Sequence, residues 1–279
     1  MAARFPLFAG LGLLASLLFA GAAPAANQAG AQPGADAMAA HRAAYKLTLD
    51  RARDNADIAN ARGIMVYEVM DACDGWATRQ RFTLVLTSRD GQEIDTGSDY
   101  STFETKDGRR IRFSLTQTTQ GAVTSRISGE AEIAPDGTGR ARYVDPEPKE
   151  EDLPRGTILP MMHTIQALDA ARRGQRLLVA PLFDGTSAEG AQDSTTVISA
   201  WQAAQPATRF PALAALGSAR MRVAFFDRND TSGGGASAPE YEVGMRYFEN
   251  GVADELKMDF GEFVIDGRME ELSVAPGGC

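Results

Sequence analysis

Residues that carry chemistry are scarce in this chain. Its 279 residues include two histidines, His41 and His163, and two cysteines, Cys73 and Cys279. Two histidines so far apart cannot supply a multi-histidine metal site, and neither belongs to an H-E-x-x-H pattern. No G-x-S-x-G and no phosphate-binding loop is present. One stretch that resembles a dinucleotide fingerprint, "GLGLLA", lies inside the N-terminal apolar run and is spurious. C-x-x-C redox chemistry is excluded because no second cysteine lies near Cys73, whose charged neighbour is Asp74. His163 could be a general base only with a positioned partner, and the sequence offers none. The preferred reading has it hydrogen-bond linker backbone beside a helix start. No catalytic residue, metal ligand or cofactor is assigned.

Positive charge is also short. Lys and Arg number 28 against 37 Asp and Glu, for a formal charge of −9, and the cations are dispersed. That balance disfavours nucleic acid and anionic membrane surfaces as partners. Long apolar runs are missing except at the N-terminus. There, Arg4 precedes the apolar stretch Leu7 to Phe19, which ends in the small residues "AGAAPAANQAG". This pattern reads as a secretory signal over residues 1–26, cleaved near Ala25 or Ala26. A retained anchor is the competing reading, but the run is short for a bilayer span. No cysteine follows the signal, so a lipid anchor is not expected, and no later segment is apolar enough to span a membrane. A soluble protein exported to an oxidising compartment is expected.

Residues 27–40, rich in Ala, Gly and Gln, read as a flexible leader, and 41–279 as a single β domain. Period-2 alternation recurs throughout that domain: Tyr45, Leu47 and Leu49; Phe82, Leu84 and Leu86; Ile111, Phe113 and Leu115; Met221, Val223 and Phe225; Tyr241, Val243, Met245 and Tyr247. Asp90-Gly91, Asp107-Gly108, Asp136-Gly137 and Asn250-Gly251 lie between such segments and suit tight hairpins. About a dozen strands in one long antiparallel meander are predicted. Trp76 and Trp201 sit in strand-like contexts and read as core.

One segment departs from this pattern. Asp145 to Pro154 reads as a proline- and acid-rich linker; calcium binding by "EPKEED" is the weaker alternative, because regular loop spacing is lacking. An amphipathic helix follows over about 160–173, with Pro160 in its first turn, Met161, Ile165 and Leu168 on one face, Arg172 and Arg173 at its end and Gly174 as cap. It should pack on one face or opening of the sheet. "DGTSAEGAQD" reads as a polar turn, and "TSGGGASAP" as a flexible tip.

The cysteines of an exported chain are more often joined than free, and free or intermolecular thiols are the alternative. Beyond this reading, "CDGW" at Cys73 to Trp76, "LPRGTILPMMHTIQALDAARRG", "LFDG" at Leu182 to Gly185 and the terminal cysteine together resemble the EipB family of periplasmic cell-envelope integrity proteins. The likeness spans roughly Met38 to Cys279. It implies a monomeric, broken β-barrel-like spiral, a disulfide between Cys73 and Cys279, and a non-enzymatic role in envelope integrity and stress resistance. No catalytic residue is carried over. The architecture is also similar to lipoprotein carriers, at the level of fold alone.

Three functions follow. The first is a scaffold that binds a periplasmic protein, with a helical-repeat protein as one candidate partner. The second is a carrier of lipid or lipoprotein acyl chains, in which Met161, Met162, Ile165 and Leu168 would face a cavity; the competing reading makes them core, and the same residues could instead face a partner. The last, an envelope-polymer hydrolase, lacks convergent polar residues.

Overall fold

The computed structural model describes residues 34, 38–206, 209–228 and 238–275. The signal segment, most of the leader, most of the "TSGGGASAP" tip and Cys279 lie outside the described residues. Eight strands come first: β1 (His41–Ala52), β2 (Asn60–Asp71), β3 (Gly75–Thr87), β4 (Glu93–Thr105), β5 (Arg110–Thr119), β6 (Ala122–Ile133), β7 (Gly139–Asp145) and β8 (Lys149–Leu153). Helix α1 (Pro160–Arg172) follows. The chain then forms β9 (Leu177–Leu182), β10 (Gln192–Ile198), β11 (Ser218–Phe226), β12 (Tyr241–Phe248), β13 (Ala253–Asp259) and β14 (Phe263–Val274).

All 14 strands among the described residues form one antiparallel sheet in the order β8 to β1, then β14 down to β9. The chain thus starts in the middle of the sheet, runs outward to the β8 edge, crosses through α1 to the β9 edge, and returns until β14 lies beside β1. Edges β8 and β9 form no ladder with each other, so the curled sheet is a broken barrel. Near the gap, Ile158 makes a parallel bridge to Leu182.

Alternation explains the layers. On β3, Trp76, Thr78, Gln80, Phe82 and Leu84 point inward and are buried, while Arg79, Arg81 and Thr83 are exposed. Outward positions carry cross-strand ion pairs such as Arg62–Glu93, Arg142–Glu150 and Arg110–Glu132. Exposed pairs of this kind stabilise by about 1 kcal/mol or less, but they break up any basic surface.

The acid-rich linker expected over Asp145 to Pro154 is corrected: Lys149–Leu153 is edge strand β8. Glu150 and Asp152 pair with Arg140, and Glu150 also with Arg142, while Leu153 is buried in the interior. The backbone ladder to β7 extends this acidic stretch, and the arginines opposite relieve the repulsion among its carboxylates. Met38, expected in the flexible leader, is 1% exposed within the core, and Ala39 N–H donates to the Asn250 carbonyl at 3.1 Å.

Among the described residues the interior holds two apolar clusters. The larger packs α1 against β1–β3 and β11–β14. The smaller joins Tyr100, Ile111, Phe113 and Tyr143 to Phe183, from the segment after β9. Phe183 sits edge-on to Phe113 at 5.4 Å and to Tyr143 at 6.4 Å. The segment "LFDG" is therefore a plug, reaching from the β9 edge to strands β5 and β7 across the gap.

Gly185 shows why the plug ends in glycine. Its φ is +75°, and a Cβ there would lie 2.3 Å from the Phe113 ring. Gly121 has the same φ of +75° with open space around it. Gly121→Ala should cost about 1–2 kcal/mol from backbone strain alone, and Gly185→Ala at least about 2 kcal/mol more, since overpacking adds to strain. Urea unfolding of both variants measures the difference; equal losses would contradict the plug.

Candidate functional site

The three motifs that carry the family resemblance meet on the inner face of β4. That face presents Tyr100, Thr102 and Glu104. Tyr100 hydroxyl donates to the Asp184 carbonyl and so holds "LFDG". Thr102 shares a 2.7 Å hydrogen bond with Thr78 of β3. Glu104 lies directly across from Trp76 of "CDGW" and accepts from the N–H groups of Met161, at 2.7 Å, and Met162, at 3.0 Å.

The Glu104 contact resolves a problem posed by the α1 sequence. Leu159, at the N-cap, supplies no capping hydrogen bond, and no acidic residue stands in the first turn. The first N–H groups of a helix have no partner within it. A carboxyl from β4, 57 residues back, supplies the cap instead. Glu104 is fully buried, and desolvation pushes its pKa up to about 8 despite the two backbone donors that lower it.

The predicted helix residues Met161, Met162, Ile165 and Leu168 are 1%, 6%, 3% and 0% exposed, all within the larger cluster. Helix and cap agree with the sequence reading: α1 ends at Arg172, and Gly174 follows with φ +74°.

His163 is corrected in its partner. Its Nε2 lies 2.8 Å from Thr196 Oγ1 of β10, not against linker backbone. Burial lowers its pKa to about 4, so the ring is neutral, and no carboxylate among the described residues is hydrogen-bonded to it. His41 is lowered to about 4 mainly by burial, and its Nδ1–H donates to the Ala39 carbonyl at 2.7 Å. Trp76 is core at 0% exposed; Trp201 is partly buried beneath the Arg172 guanidinium, 5.4 Å from its ring. Among the described residues no group of His, Cys, Asp or Glu is arranged to hold a metal.

Cys73 is exposed in the β2–β3 hairpin, with φ +70°. Its N–H donates to Asp71 Oδ1 at 2.9 Å, and the Lys106 ammonium meets the same oxygen at 2.6 Å. Lys106 also lies 5.7 Å from the Trp76 ring centre. A cation therefore stands at this hairpin, brought from 33 residues away by the β3–β4 pairing, where the sequence showed only Asp74. Cys279 lies outside the described residues.

The sequence model of the EipB-like family matches residues 32–276. The chain belongs to the EipB-like family. A curated EipB-like relative, the cell envelope integrity protein EipB of Brucella abortus (strain 2308), is 29% identical over 264 residues, covering 93% of this chain and 90% of the relative. The crystal structure of a β-barrel-like protein of domain of unknown function DUF1849 from Brucella abortus aligns with TM-score 0.78 and 27% identity, over 86% of this chain and 99% of that one. As an EipB-like protein, this chain is a periplasmic protein linked to cell-envelope integrity. No helix among the described residues is long and apolar enough to cross a membrane.

The cap leads to two measurements. Glu104→Ala orphans two buried donors and should destabilise by about 2–4 kcal/mol in urea melts. Because the folded pKa is raised above that of the unfolded chain, the stability tied to this group is full below about pH 4.5 and is lost as pH rises through about 8. Glu104→Gln should flatten that part of the pH profile; an unchanged profile would show that the slope comes from another group.

Proposed function

We propose that this EipB-like protein supports the envelope as a scaffold, by holding another periplasmic protein against its outer surface. The supporting observation is the filled interior: the helix that would be a lid over a lipid cavity has Met161, Met162, Ile165 and Leu168 packed as core. With those groups engaged inside, the partner-facing surface must be elsewhere, on the sheet exterior or an edge. The protein acts as a monomer, released into the periplasm by cleavage near Ala25 or Ala26 and carrying no lipid anchor.

We also infer a disulfide between Cys73 and Cys279. β2 and β14 flank β1 and run in the same direction, and His41 pairs with both Val69 and Val274. From that shared level Cys73 is four residues further on and Cys279 five. Two strand spacings separate the two paths by about 10 Å, and five extended residues reach about 16 Å. The tail is long enough to close the bridge. Closing a loop of roughly 200 residues would stabilise the fold by up to about 5 kcal/mol.

Crosslinking in intact cells tests the scaffold: photoreactive residues on the outer face should capture a discrete periplasmic protein. Lipid retained in native mass spectra of the purified protein, with no protein captured, would favour the carrier instead. Thiol titration under denaturing conditions should find no thiol before reduction, and one free thiol per chain would overturn the disulfide.

A further inference from the structure

The two edges of the sheet are treated differently. β8 carries Lys149, Glu150, Glu151 and Asp152, the charged protection that edge strands commonly show against further pairing. β9, Leu177–Leu182, reads "LLVAPL" and has no charge at all. In an antiparallel strand, successive residues direct their backbone groups alternately toward and away from the neighbour. Ile198 N–H donates to the Arg176 carbonyl at 2.9 Å, so even-numbered residues of this stretch face β10. The Pro181 carbonyl accepts from Ile158 N–H at 2.9 Å, so odd-numbered residues face outward. At the Pro181 end the edge is therefore occupied. Leu177 and Val179 direct both N–H and C=O groups to the open side, with no partner among the described residues.

The same two residues are exposed, Leu177 by 56% and Val179 by 62%, and Val197 of β10, paired with Leu177, is 55% exposed. Such an apolar strip beside unpaired backbone is a template for strand addition. The rim just before it is basic. Arg173 and Arg176 are exposed; Arg173 pairs with Asp169, and Arg176 has no ion pair among the described residues.

We propose that the Leu177–Ala180 edge is a docking site for an extended segment of a partner protein, with apolar side chains at alternate positions and an acidic residue at the end beside Arg176. The backbone pattern specifies an extended occupant, since a helix has its own N–H and C=O groups already paired. Alternate apolar residues would lie on Leu177, Val179 and Val197, and the acidic end complements the Arg176 charge. This proposal deepens the scaffold reading and rests on it.

The probe is a capped hexapeptide of alternating valine and threonine with aspartate added at both ends, titrated into the full mature protein. Amide hydrogen exchange read by NMR should show Leu177 and Val179 exchanging fast alone and at least about tenfold slower with saturating peptide. Leu177→Lys/Val179→Lys, at positions exposed enough to leave the fold intact, should lose this protection, and Arg176→Glu should shift preference to a second peptide that carries lysine in place of both aspartates. Unchanged exchange at millimolar peptide would overturn the site. So would amides already slow in the free protein, whether through a concentration-dependent dimer or through residues 27–37, revealed by loss of protection on their deletion. A failed titration alongside productive crosslinking in cells removes only this edge. No crosslink anywhere on the surface removes the scaffold reading itself.

Discussion

A single buried carboxyl organises this fold. Glu104 accepts the first two N–H groups of α1, and without it a helix with no cap of its own would begin in an apolar interior. An unmade hydrogen bond in such a place costs more than a made one contributes. The same strand face holds the plug through Tyr100 and ties to β3 through Thr102. β4 thus couples the hairpin at Cys73, the crossover helix and the segment that fills the gap between the sheet edges.

That coupling bears on function. An incomplete barrel with a helix across it suggests a container with a lid, as in carriers. Here the helix buries residues on nearly all sides, and Phe183 locks into an aromatic trio with Phe113 and Tyr143. A core packed in this way leaves the outer surface and the sheet edges to do the work. Since exposed arginines there are largely matched by carboxylates, recognition falls to shape, backbone and apolar contact rather than to a charged patch.

Much of the fold was legible. Alternation located the strands because each has one wet face, and Asp-Gly and Asn-Gly pairs located hairpins because those turns need positive φ. Helix α1 was legible from Pro160, its apolar spacing and Gly174. The β8 strand was not, because its acidic residues look like a solvated linker until Arg140 and Arg142 are placed opposite them. Glu104 was hidden for a related reason. In "YSTFET" the apolar Phe103 faces outward while Thr102 and Glu104 face inward, so reading the core from hydrophobicity inverts the strand. Its partners, the N–H groups of Met161 and Met162, are backbone and leave no mark on sequence. Thr196, the partner of His163, is likewise far along the chain and unremarkable by itself.

Helix α1 is a fixed part of the core and not a movable lid. Native-state hydrogen exchange of the α1 amides from Ile165 to Ala171 tests it most directly. If the helix is core, these amides exchange only through global unfolding, and their opening free energy matches the stability from urea melts. An opening several kcal/mol below the global value, confined to α1, would contradict the account and restore the lid.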